Sequence, residues 1–318
     1  MSGRAQAYPL FHYGEPTRTP LVEALGEYLQ FALQTKTKAG YTSDRWYLRR
    51  AFGTDGTDTP LRVSLVEDLT PAILGAYFLR LVCVEHYQPK TYNRFREVVH
   101  RFVNWCIRYK GTRFPGGFNP VSHVERQREH ARTIRHLRLV DITGQIDILT
   151  GHDEMQAMVA VMIYAGLRRG EVLWLTPQDV DLGAAKHGMI RVQAKKVDGE
   201  FWEPKTKVNR GVPVSSSLRP YLDRWETIAD PCRTWYFPAP KGGRWDSDNF
   251  AADLRKVNRA AGLAWGCLDY RHTFGSLLAS KGESLYKISA LMGNSPEICR
   301  RHYAALMPES LVDSVEFG

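Results

Sequence analysis

Cysteine is scarce in this 318-residue sequence. The five that occur, Cys83, Cys106, Cys232, Cys267 and Cys299, are odd in number and widely spaced, with no CxxC pair and no clustered histidines. That excludes a disulfide framework and a zinc cage, and leaves buried free thiols in a reducing compartment. Long apolar runs are also missing. The longest, Met155 to Leu167, contains Gln156 and falls short of the ~20 residues of a spanning helix. The leader MSGRAQAYPLFHYGEPTRTP has no apolar stretch of signal-peptide length, so a cytoplasmic protein without a membrane partner is expected. Acidic residues are in deficit, 34 against 43 Lys+Arg, a net charge of +9. Such an excess favours a polyanionic partner.

What is present is ordinary globular composition, 43% hydrophobic and 24% charged. The length suits two domains of ~100–200 residues each. After a leader over residues 1–20, Leu21 to Gln34 places Leu21, Leu25, Tyr28, Leu29 and Leu33 at helical spacing. Thr35 to Arg50 reads as a second helix whose basic face carries Lys36, Lys38, Arg45 and Arg49. Thr70-Pro71 is a helix start. From Lys90 to Lys110 an apolar stripe (Tyr92, Phe95, Val99, Phe102, Cys106, Tyr109) runs beside a basic one (Lys90, Arg94, Arg101, Arg108). A basic stripe is either a solvated face or a phosphate-tracking surface. Residues 124–138, rich in Arg and His and including Arg132 and Arg135, read as a basic linker, either a flexible connector or one lying along a polyanion.

Beyond the linker, residues 139–307 form the second expected domain and 308–318 a tail. Asp153 to Ala165 reads as a buried helix, and Gly188 to Ala194 and Gly211 to Val214 as strands of a small antiparallel sheet with Lys-rich material between them. The rest is helical in pattern. The expected class is mainly α: an all-helical amino-terminal domain over residues 21–123 and a mostly helical carboxy-terminal domain with a small antiparallel sheet.

The second half has no metal cage, Gly-rich phosphate loop or serine elbow. It has cations in a particular order: AGLRRGEVLWLTPQDVDL, PKTKVNRGVPV, LDYRHTFGSLLASKG and LMGNSPEICRRHYAAL. These four boxes resemble the catalytic half of the tyrosine recombinase (phage integrase) family, and the first half is similar in pattern to that family's core-binding domain.

The resemblance implies that Arg168 and Arg271 clamp the scissile phosphate, a task suited to a planar, always-charged donor fork. It implies that Lys205 is the general acid for the departing 5′-oxygen, since lysine can lose a proton and arginine cannot. Tyr303 would be the nucleophile, forming a 3′-phosphotyrosyl bond that conserves the phosphodiester's energy without ATP, metal or other cofactor. Glu171, three residues after Arg168, would orient the cations; on spacing alone it is equally a helix N-terminal acid. A core tyrosine is the alternative for Tyr303, made less attractive by the RRH that precedes it.

Two positions depart from the family's pattern. Leu268 stands where a histidine is usual, and Asn294 where His or Trp is usual, though an amide can still donate to a phosphate oxygen. His272, a supporting residue in the family, and His302 are imidazoles nearby in sequence. A recombinase with an altered active site, slower or dependent on assembly, is therefore expected. A non-catalytic DNA-binding protein and a type IB topoisomerase-like relaxing enzyme are the alternatives. The resemblance further implies duplex DNA enclosed by two basic domains and a cyclic homo-tetramer on two DNA sites, monomeric or dimeric off DNA. Accessory DNA-bending proteins and a nucleoid location in a prokaryote, phage or mobile element belong to the same expectation. The tail's apolar residues would dock either in cis or on a neighbouring protomer.

Overall fold

The computed structural model describes residues 17–53, 61–129 and 134–307. The chain divides between Ala131 and Arg132 into two compact units.

The first unit is helical: α1 (Leu21–Thr35), α2 (Lys38–Phe52), α3 (Pro71–Cys83) and α4 (Pro89–Trp105), the last continuing as a π-helical turn, Cys106–Lys110. Local chemistry sets the boundaries. The Thr37 hydroxyl accepts from Gly40 N–H to start α2, and the Thr70 hydroxyl accepts from Ile73 N–H ahead of Pro71 in α3. The break at Lys36-Thr37 splits the basic helix expected from Thr35 onward, so Lys36 lies between helices rather than on a helical face. The core is aromatic, with Tyr28, Phe78, Phe95 and Phe102 fully buried and Tyr28 edge-on to Phe102 at 5.6 Å.

The second unit packs α6 (Asp153–Tyr164), buried from Gln156 to Ile163, against α8 (Arg219–Ile228) and α10 (Cys267–Ser280). Around it lie α5 (Leu139–Asp147), the one-turn α7 (Arg169–Val172), α9 (Ser247–Ala260), α11 (Leu285–Met292) and α12 (Pro296–Tyr303). Strands β1 (Val180–Asp181), β2 (Met189–Val192) and β5 (Arg210–Pro213) form an antiparallel sheet in the order β1-β2-β5. The Lys-rich insert between β2 and β5 is itself a hairpin, β3 (Lys195–Val197) with β4 (Glu200–Trp202). The mainly helical class with small antiparallel sheets is the one expected.

The division between the units falls inside the expected linker, 124–138, and each of its described ends is held by its own unit. Val124 is buried in the first unit's core, and Asn93 bonds the Gln127 backbone in both directions, at 2.8 and 2.9 Å. In the second unit Leu137 is buried and its N–H donates to the Thr273 hydroxyl at 2.9 Å. Composition left open a flexible connector or one lying along a polyanion; single apolar residues and side-chain-to-backbone bonds hold its described ends. The cysteines are free, yet only Cys106 and Cys299 are buried; Cys83 and Cys232 are exposed.

Candidate active site

Three elements of the second unit converge on one carboxylate. Arg168 precedes α7, and both its backbone N–H (2.8 Å) and its Nη1 (2.7 Å) donate to the side chain of Glu171, one turn on. From β5, Arg210 donates to the same carboxylate with both ends of its fork, at 2.6 and 3.1 Å. Arg271, on α10, lies 3.8 Å from it. Glu171 is 3% exposed, so three guanidinium groups surround a charge that water hardly reaches. Burial by itself would raise this carboxyl, but the Arg210 fork and the Arg168 contacts outweigh burial and hold it below the usual range. Arg271 is pushed down to about 10, by burial first and by Arg168 second, and stays charged at neutral pH.

The other side of the arginines faces the turn after α11. Arg271 Nη2 donates to Met292 O (2.6 Å), Arg168 Nη2 to Gly293 O (2.7 Å), and both to Asn294 Oδ1, at 3.0 and 2.5 Å. One amide oxygen therefore spaces two cations that would otherwise repel. Arg271 Nη1 also donates to Gly166 O. Gly166 has φ +64°, and a Cβ there would overlap the Phe274 ring, so the turn before Arg168 requires glycine.

Tyr303 ends α12 with its ring 1% exposed, laid against Gly275 of α10, where any Cβ would overlap it. Its hydroxyl lies 2.9 Å from His272 Nδ1. Burial raises the phenol and lowers the imidazole, the latter to about 4 with further help from His302 and Arg271. At neutral pH a protonated phenol thus shares a hydrogen bond with a neutral imidazole. Leu268, on the first turn of α10, is 65% exposed. The imidazole at the tyrosine comes instead from the residue after Arg271. Sequence spacing gave His272 no preference over His302, because only the packing of α12 on α10 decides which ring meets the hydroxyl.

Residues 138–309 match the model of the phage integrase family. The chain belongs to that family of tyrosine recombinases. It is 26% identical over 196 residues to a XerC-like tyrosine recombinase of Caldanaerobacter subterraneus subsp. tengcongensis, covering 54% of this chain and 50% of the relative. It is 28% identical over 167 residues to the tyrosine recombinase XerC of Stutzerimonas stutzeri, covering 51% of each. The chain thus spans about half the length of the curated relatives it matches. Among solved structures, the integrase of transposon Tn1549 in complex with a circular intermediate DNA superposes with a TM-score of 0.73 at 15% identity, covering 91% of this chain and 96% of that one. A lambda integrase tetramer bound to a Holliday junction gives 0.67 at 13% identity, covering 87% and 78%. These likenesses establish a shared fold.

The remaining candidates in this integrase-family chain are placed unevenly. Lys205 is exposed in the Pro204–Lys207 turn after β4, and no hydrogen bond or ion pair ties it to the arginine cluster. The hairpin just before it is pinned at its base: Lys195 pairs with buried Asp179, and Trp202 stacks on Trp174 at 5.7 Å. In the first unit Lys38, Arg45, Lys90 and Arg108 are exposed and Arg49 half-buried, none with an ionic partner among the described residues. Arg94 pairs with Glu97 at 3.4 Å. Lys36 and Arg101 are turned inward to Asp44, which is 1% exposed and also accepts from the Tyr28 hydroxyl. Arg135 lies over the Trp265 ring at 4.9 Å. Arg132 lies outside the described residues.

Arg210 escaped the sequence reading. A signal was there: Arg210, Val212 and Val214 alternate on the inward face of the strand, and an inward arginine needs a buried partner.

Proposed function

We propose that the chain is a site-specific recombinase that cleaves and rejoins duplex DNA through a 3′-phosphotyrosyl intermediate. The observation that carries this reading is the Tyr303 hydroxyl hydrogen-bonded to a neutral His272 beside two arginines spaced by one amide. Arg168 and Arg271 hold the non-bridging oxygens of the scissile phosphate, where negative charge grows in the transition state. His272 takes the phenolic proton as the tyrosine oxygen attacks phosphorus. The 5′-oxygen leaves with a proton from Lys205, brought in on the turn after β4, and the reverse steps join a new 5′-hydroxyl. The Asn294 amide nitrogen is the donor at the position where the family usually has an aromatic ring.

In the free protein the Arg271 guanidinium is bonded at both Nη atoms to Gly166, Met292 and Asn294. A phosphate has to take over part of that bonding, which supports a site that becomes active on DNA assembly. Duplex DNA is the partner, met on the exposed cations of α2 and α4 as well as at the active site; a tetramer on two sites, accessory bending proteins and a nucleoid location in the cytoplasm complete the proposal.

The test is a nicked suicide substrate built on the flanks of the gene's own element. A covalent protein–DNA adduct that disappears in Tyr303→Phe is expected. No adduct on that site contradicts the catalytic reading and leaves a DNA-binding protein. A relaxation assay beside a two-site recombination assay separates strand exchange from simple supercoil relaxation.

A further inference from the structure

We infer that Arg210 is a positioning residue for the reaction: by bonding both oxygens of Glu171, which Arg168 also meets, it keeps Arg271 off the acid and free for a phosphate. The inference rests on the proposed role of those two arginines. Three observations carry it.

The first is the bonding of the guanidinium. Arg210 is almost entirely buried, and beyond its two bonds to Glu171 its Nε donates to Leu291 O at 2.8 Å. A buried arginine bonded along its whole fork is fixed, and arginine differs from lysine here because only the planar fork meets both carboxylate oxygens at once.

The second is the order of acceptors on the turn that ends α11. Leu291 O takes Arg210, Met292 O takes Arg271, Gly293 O takes Arg168, and Asn294 Oδ1 takes both Arg168 and Arg271. Arg210 therefore anchors the first acceptor of a run of four that aims the other two arginines. Gly293, at φ +60°, packs so closely that a Cβ would come within 2.8 Å of Arg210 Nη1.

The third is the charge balance. One carboxylate faces three guanidinium groups, so the buried group carries a net charge of two positive units. Removing Arg210 takes the charged partner from Glu171 Oε2, which keeps only the Arg168 N–H at 2.8 Å while Oε1 keeps Arg168 Nη1 at 2.7 Å; the next cation to Oε2 is Arg271 at 3.8 Å. Drawing Arg271 onto the acid spends one phosphate-binding charge on an internal pair. Partners that orient functional ligands from behind typically change activity by ~10–100-fold when removed.

The experiment measures single-turnover adduct formation at saturating protein on the suicide substrate, with DNA affinity measured separately. Wild-type adduct is the control: if wild type forms none, the proposed function fails and Arg210 is not at issue. Arg210→Met is expected to slow adduct formation ~10–100-fold with DNA affinity within about threefold of wild type. Adding Glu171→Gln to that variant is expected to restore at least about tenfold, because the charge that draws Arg271 is gone; a purely structural role predicts a double variant no faster than the single. In Arg210→Met the rate should also rise as pH falls from 8 to 6, as the deprived carboxyl takes up a proton, whereas wild type shows no such rise. If Arg210→Met does not fold, Arg210→Lys, which keeps the charge but not the fork, is read the same way with and without Glu171→Gln. A wild-type rate in the single variant, or no recovery in the double, overturns the inference.

Discussion

The Tyr303 hydroxyl and His272 Nδ1 are 2.9 Å apart on two helices, α12 and α10, held together by the face of Gly275. General-base assistance of this kind contributes ~10²–10⁴-fold. His272→Ala should therefore reduce adduct formation by about that range without weakening DNA binding, while His302→Ala, which removes a ring 5.6 Å from His272 but not the hydrogen bond, should reduce it far less. Equal effects of the two substitutions would move the proton acceptor elsewhere.

The depressed His272 pKa gives a pH signature. In the folded protein its ring titrates near 4, against an ordinary value of 6.5, so the unfolded chain binds a proton over that interval and the folded chain does not. Stability from this group is complete above 6.5 and is lost as pH falls toward 4. Glu154 acts in the opposite sense. Burial raises its carboxyl to about 7, with Trp245 donating to it at 2.9 Å, so its contribution is complete below 4.5 and lost as pH rises to 7. Thermal melts across pH 4–8 should show His272→Gln flattening the acid limb and Glu154→Gln removing a decline in stability between pH 4.5 and 7. A His272 ring that titrates near 6.5 by NMR contradicts the first expectation.

Gly275 is required by packing rather than by backbone angle, since it sits in the middle of α10. A methyl group there must displace the buried Tyr303 ring. Gly275→Ala gains helix propensity of ~1 kcal/mol yet meets an overpacking penalty of ~1–3 kcal/mol. The expected result is a melting temperature no higher than wild type, together with a larger loss of adduct formation than of stability.

Much of this fold was legible because periodicity records it: the apolar stripe from Tyr92 to Cys106 and the buried run of α6 are where the spacing placed them. The four boxes were legible as ordered motifs, and Arg168, Glu171, Arg271 and Asn294 from them meet in the structure. Contacts between distant segments were not. Glu171 meets Arg210 across 39 residues and Tyr303 meets His272 across 31, and no local spacing rule reports such pairs. What holds the ends of the linker was hidden for a related reason: Asn93, 34 residues upstream, supplies the bonds that fix Gln127.

Charged residues on a helix face are not equivalent, and the first unit separates two kinds. Lys36 pairs with buried Asp44, whereas Lys38, Arg45 and Lys90 are exposed and unpaired among the described residues. Removing an exposed cation that meets a phosphate takes about one unit from the dependence of log affinity on log salt. It changes stability by no more than ~0.5 kcal/mol. Removing Lys36 leaves Asp44 with only Tyr28 and the 3.5 Å contact to Arg101, and breaking a buried pair costs about 3 kcal/mol. Lys36→Met should therefore lower the melting temperature and leave the salt slope near wild type once the protein is folded. Arg45→Ala should do the reverse. Equilibrium DNA binding over 50–200 mM salt, paired with melts of the same variants, decides the matter. A Lys36 variant that melts like wild type but loses a full unit of salt slope would return Lys36 to the DNA-binding face.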